Sequence, residues 1–292
     1  MNKILIFLCT ALSLTIMISC GTSSNDNQPS ASNKNQTSSN HDTINANSLP
    51  LNISIVLDLS DRLIQPNVTP SQFYNDTAII NYFVEYFIDH SKKQRADKCT
   101  NRFQILFYPT PSQANINNLS KDLCIDLGKL PHNEKRVKLL EMKSKIDETL
   151  DVIYSKTLSD KKWVGSDIWD FFTNKQVDKL CIRPGYRNIV AILTDGYLYH
   201  ANHKIKEGNS YSYVLSQTLK DGGKLISRRN DLKDLEVIML EVNPKTPNER
   251  DQLVEVLHNW FINMGVKPNN LSINETQVAS WSETIIENFL NH

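Results

Sequence analysis

Glycine and proline are scarce. With 9 Gly and 11 Pro in 292 residues, the chain is neither collagen-like nor a Pro/Gly low-complexity polymer. Charge of one sign is not in excess either. Lys+Arg and Asp+Glu each number 32, for a net charge of zero. An electrostatic nucleic-acid binder needs a basic surplus, so no nucleic-acid partner is expected. Five cysteines are too few for a disulfide-built scaffold. The sequence has no Gly-x-Ser-x-Gly nucleophile elbow, no Gly-rich phosphate loop and no His-Glu-x-x-His, which removes the commonest hydrolase, nucleotide-binding and zinc-protease signatures. What is present is 40% hydrophobic residues, enough for a core of one large domain or two small ones.

The longest apolar run covers residues 4–18, follows Lys3, and precedes the small residues Ser19 and Gly21 that flank Cys20. Fifteen residues fall short of the roughly 20 that span a bilayer. A positive start, a short apolar centre and small residues form the secretory-signal pattern. Ser19-Cys20 at its end resembles the lipobox of bacterial lipoproteins, with Met17 where that pattern usually has Leu. The resemblance implies a signal peptide over 1–19, cleavage before Cys20, and lipid on its sulfur. The acyl chains would anchor the chain to a membrane of the cell envelope, on a periplasmic or surface-exposed face. The alternative is an ordinary signal peptide with an incidental cysteine.

Residues 20–49 are rich in Ser, Asn, Thr and Gln. Such a segment cannot bury enough apolar surface to order itself. It reads as a tether with a reach on the order of 30 Å. From Leu51 the pattern changes. The runs 51–57, 188–194 and 235–242 are almost wholly apolar and predict buried strands, as does 103–108; 123–127 is a weaker strand. Helical spacing appears over 72–90, 134–154, 166–180 (with Ser166 as a possible cap), 248–264 and 276–290. Strands apolar on both faces, alternating with helices, predict an α/β fold. Its sheet would be doubly wound, Rossmann-like and mainly parallel, with helices on both faces. One domain over 50–292 is the economical reading.

Two of these strands end in aspartate: Asp58-Leu59-Ser60-Asp61-Arg62 follows the first, and Thr194-Asp195-Gly196 follows a central one. Ligands in open α/β sheets gather beyond the carboxyl ends of strands. Gly165-Ser166-Asp167-Ile168 lies between the two. Together, in this order, the three segments resemble the von Willebrand factor type A domain family over roughly 51–290. The resemblance implies a metal-ion-dependent adhesion site. Its first loop reads Asp-x-Ser-x-Ser, its second supplies a Thr, and its third the Asp of Thr-Asp-Gly. Carried over, Asp58, Ser60, Ser166 and Asp195 would be the metal ligands, a hard-oxygen set suited to Mg²⁺, Ca²⁺ or Mn²⁺. An acidic group of a protein partner would complete the coordination.

Arg62 stands where the family has its second Ser, and a guanidinium offers a metal no lone pair. Two readings follow. Arg62 points away while Asp61 swings in as an extra carboxylate, or Arg62 replaces the metal by pairing with Asp58 or Asp195. The functional readings divide accordingly: a lipid-anchored module that binds a protein, a metal-free structural envelope protein with a dead site, or a Mg²⁺-dependent phosphatase-like hydrolase with Asp58 as nucleophile. The last lacks a second Asp two residues on, where Ser60 stands. No complete catalytic motif is present, so no enzymatic activity is expected.

Two further features are weaker. His200 and His203 have a spacing a transition metal can use, but a solvent-facing loop explains them as well. Cys99 precedes one predicted strand and Cys124 sits in the next, so a hairpin brings them together for a disulfide unless both stay free thiols.

Overall fold

A computed structural model describes residues 49–64, 71–111, 114–160, 165–198, 206–207, 210–211, 225, 227, 229–276 and 278–292. The expected signal peptide, Cys20, nearly all of the tether, and His200 and His203 lie outside the described residues.

Six strands make one sheet: β1 (Leu51–Leu57), β2 (Arg102–Leu106), β3 (Cys124–Asp126), β4 (Arg187–Leu193), β7 (Leu235–Val242) and β8 (Leu271–Glu275), in the order β3-β2-β1-β4-β7-β8. All pairs are parallel except β2–β3. A separate two-residue ladder joins β5 (Lys206–Glu207) and β6 (Ser210–Tyr211). The helices are α1 (Gln72–Lys92), α2 (Ala114–Ser120), α3 (His132–Asp160), α4 (Ile168–Thr173), α5 (Gln176–Cys181), α6 (Arg250–Asn263) and α7 (Ala279–Leu290).

Alternation of side chains along a strand sends odd and even residues to opposite faces, and here both faces are buried. Leu51, Ile53, Ile55 and Leu57 of β1 pack with apolar residues of α1, α3 and α7. Val56 faces the other way, toward α4, α5 and α6, where Phe171, Phe172, Val177, Trp260 and Phe261 gather. The fold is therefore the expected α/β doubly wound sheet with helices on both faces. The polar residues of β1 are satisfied internally. Asn52 Nδ2 donates to the Cys181 carbonyl at 2.6 Å and to Asn188 Oδ1 at 2.7 Å, and Ser54 Oγ accepts from Gln104 Nε2 at 2.8 Å.

One expectation changes, one strand is added, and one open question closes. The helix expected over 166–180 is two short helices, α4 and α5, separated by Lys175 at φ 58°. Its cap is Asp167, which accepts from the Asp170 amide at 3.0 Å, rather than Ser166. A short strand, β8, was not legible, because its sequence LSINE alternates over only five residues at a half-buried edge. The open choice between a Cys99–Cys124 disulfide and free thiols closes on free thiols, Cys181 included. The hairpin register explains this: Cys124 faces Gln104 at one end of the ladder, and Cys99 lies beyond the other end, before β2 begins.

Candidate functional site

Parallel strands place all their carboxyl ends on one edge, and the backbone ladder runs slightly past them. The Asp58 amide donates to the Leu193 carbonyl at 3.0 Å, Thr194 N to the Leu240 carbonyl at 3.2 Å, and Asn243 N to the Asp195 carbonyl at 3.0 Å. Asp58 and Asp195 thus leave adjacent strands side by side. Ser166 joins the same edge through the end of β2. Its Oγ donates to the Tyr108 carbonyl at 3.3 Å, and the Asp167 amide donates to the same carbonyl at 3.0 Å. The four sequence-predicted ligands therefore lie beyond the neighbouring strands β2, β1 and β4.

Asp58 is buried and held at both oxygens. Oδ1 accepts from the Ser60 amide and Oδ2 from Thr194 Oγ1, each at 2.9 Å. Each oxygen keeps a lone pair beyond these bonds. Desolvation raises the Asp58 pKa, against lowering by Arg62, Thr194 and Ser60. Asp195 is partly buried, accepts from the Tyr197 amide at 3.1 Å, and is pushed up to about 6, first by desolvation and then by the Asp58 charge. Gly196 completes the loop at φ 91°, and a Cβ there would meet Val242 Cγ1 and Leu257 Cδ1 at 3.2 Å. The turn that presents Asp195 thus requires glycine.

Arg62 resolves one ambiguity of the sequence. It is 2% exposed, and its Nε donates to the Asp58 carbonyl at 2.8 Å. Its two terminal nitrogens grip Asp76 of α1 at 3.2 and 2.7 Å. Direct pairing of Arg62 with the Asp58 or Asp195 carboxylate is thereby overturned: Asp76 takes both terminal nitrogens as a bidentate partner, while the Arg62 charge still lowers both edge carboxylates from nearby. Asp61 does not move inward as a replacement ligand. It is exposed at the start of a short 3-10 turn over 61–64, near enough to add to the elevation of Asp195.

The donor chemistry fits a hard divalent cation. Asp58 and Asp195 are neighbouring carboxylates in a desolvated setting, Ser60 and Ser166 add hydroxyls, and the terminal nitrogens of Arg62 are engaged by Asp76. Like charges so placed favour protonation or a bound cation.

Behind the edge lies a polar network that sequence reasoning missed. Gln72 Nε2 bridges Asp76 Oδ1 at 3.0 Å and Glu241 Oε2 at 2.7 Å, and the Tyr154 hydroxyl donates to Asp76. Glu241 is buried at φ 69°, its Oε1 has no partner, and it is pushed up to about 7 by desolvation and then by Asp76. Its backbone conformation coincides with the register shift between β7 and β8. The available signal was a carboxylate near the end of an otherwise apolar strand, LEVIMLEV.

Several exposed apolar side chains follow or precede elements at this edge. Ile64 follows β1, Tyr74 opens α1, and Val278 and Trp281 lie at the start of α7; all are exposed, Trp281 by 66%.

No family model matches the chain, and no curated protein matches it. Two solved structures are similar at 10% identity. One is the conserved hypothetical protein BatB from Bacteroides thetaiotaomicron, over 83% of this chain and 100% of that one, with a TM-score of 0.39. The other is the pilus adhesin SpaC from Lactobacillus rhamnosus GG, over 82% of this chain and 30% of that one, with a TM-score of 0.37. Likenesses this distant assign no function.

Proposed function

We propose that the chain is a binding module of the von Willebrand factor type A kind. Lipid on Cys20 tethers it to the cell envelope, and it holds a protein partner at the carboxyl edge of its sheet. Asp58, Ser60, Ser166 and Asp195 would hold a Mg²⁺, Ca²⁺ or Mn²⁺ ion, and the ion would supply a positive centre for an acidic group of the partner. The observation that carries this reading is that the terminal nitrogens of Arg62 bond Asp76 rather than the carboxylate of Asp58 or Asp195. The exposed side chains of Ile64, Tyr74, Val278 and Trp281 would add apolar contact area at the same edge. Calorimetric titration of the protein with Mn²⁺ tests the ion, and capture of envelope proteins with and without chelator tests the partner. Chelator-independent capture that survives Asp195→Ala would leave a binding module without a metal.

A further inference from the structure

The opposite, amino-terminal end of the sheet holds a second feature. A cavity of about 480 Å³ opens between the end of α1, the segment before β2 and the first turns of α3. Its apolar wall residues are Ala96, Cys99, Leu127, Leu139 and Leu140, and Ser91 and Gln94 add polar groups. Three cations line it, Lys92, Lys135 and Arg136, and no carboxylate does.

Lys135 is the unusual one. It is 6% exposed, and its ammonium makes one hydrogen bond, to the Cys99 carbonyl at 2.7 Å. Among the described residues no carboxylate lies within ion-pair distance of it. Lysines are almost never this buried without a paired charge, because an unpaired ammonium in apolar surroundings is costly. An ammonium has three donors, and one neutral carbonyl uses one of them. The other two are available to whatever fills the cavity. Lys92 and Arg136 are exposed and add attraction for an anion. The volume lies within the roughly 300–1,000 Å³ of ordinary small-molecule sites.

We propose that this cavity binds an amphipathic monocarboxylate: a single apolar chain lying along Leu127, Leu139 and Leu140, with its carboxylate on the Lys135 ammonium. A neutral molecule would leave the ammonium unpaired, and a cation would be repelled by all three basic residues. A polyanion would find one buried cation, Lys135, among the residues that line the walls. This site is independent of the carboxyl-edge site, which lies at the other end of the strands.

The test uses the full chain and three probes of equal chain length below their micelle concentrations: decanoate, decan-1-ol and decylamine. Calorimetry should show decanoate binding about tenfold or more tighter than decanol, since a charge-assisted hydrogen bond is lost with the alcohol. Decylamine should not bind. Lys135→Met should weaken decanoate by about tenfold while leaving decanol unchanged. Should that variant fail to fold, Arg136→Glu on the exposed rim carries the test. It should keep the wild-type melting temperature and weaken decanoate by about threefold or more through like-charge repulsion. Equal affinity for decanoate and decanol, or wild-type decanoate affinity in Lys135→Met, would overturn the proposal and leave Lys135 as a pin for the turn at Cys99. Tighter binding of N-acetyl-leucyl-leucine than of decanoate would overturn it in favour of a peptide carboxyl terminus.

Discussion

Arg62 and Asp76 face one another with side chains 2% and 0% exposed and 2.7 Å between Nη2 and Oδ2. This buried pair ties the loop after β1 to α1, and it decides what the neighbouring carboxylates can do. Breaking one partner of a buried pair strands the other charge. Arg62→Ser, although it restores the family's serine, should therefore destabilise the protein by about 3–5 kcal/mol. Asp76→Asn added to it should recover a large part of that loss. Urea unfolding of the two variants checks both statements; an Arg62→Ser protein as stable as wild type would show that the pair contributes nothing.

Glu241 gives a pH dependence with a definite sign. Its pKa stands near 7 in the folded chain against an ordinary 4.5. The folded state therefore holds a proton that the unfolded state has released between those values. The resulting penalty is absent below about pH 4.5, grows through the interval, and is complete above about pH 7. Glu241→Gln removes it while keeping an acceptor for Gln72. The variant should be more stable than wild type at pH 8, by up to ~3 kcal/mol, and the two should converge near pH 4. Thermal melts across pH 4–8 measure the difference. A constant offset would refute the assignment.

Much of this was legible because the informative residues lie in strands with two buried faces. In β4 and β7 the near-continuous apolar run is itself the signal for a covered parallel sheet, and Asp58 and Asp195 stand out because each follows a strand of β-rich sequence. The partners of Arg62 were not legible. Asp76 and Tyr154 lie in long helices, and nothing local distinguishes an inward aspartate from a solvated one until the helix is docked. The division between α4 and α5 was hidden for a related reason: Lys175 adopts φ 58° where a glycine would have announced the break.

The proposed anchor predicts a change in location without a change in fold. The apolar run over 4–18 ends at Ser19-Cys20. Cys20→Ala should move the protein out of the membrane fraction or leave it as an uncleaved precursor, with no acyl mass on the mature chain. Fractionation with intact-mass spectrometry reads both. A variant that is processed and still sediments with membranes would point to an anchor other than lipid at Cys20.

The cation site makes a prediction whose direction follows from the two edge carboxylates. Asp58 and Asp195 are both raised by desolvation, and Asp195, near 6, is raised further by its neighbour. A divalent ion between them would stabilise the ionised forms and compete with protons, so affinity for Mn²⁺ should rise with pH from 5 to 8. At saturating metal the melting temperature should climb by mass action, with a gain of about 2.7 kcal/mol at a hundredfold excess over Kd. Asp195→Ala should abolish the gain. Ser166→Ala, which removes one neutral ligand and spares the backbone contact to Tyr108, should reduce affinity without abolishing it. Asp76 holds the terminal nitrogens of Arg62, so Asp76→Ala should weaken Mn²⁺ binding by freeing them to pair with the Asp58 carboxylate. Calorimetry on the wild type and these variants distinguishes the outcomes. No heat with millimolar Mg²⁺, Ca²⁺ or Mn²⁺ at pH 8 would mean that the two carboxylates are held by protonation alone, and that any partner is bound through the exposed apolar side chains of Ile64, Tyr74 and Trp281.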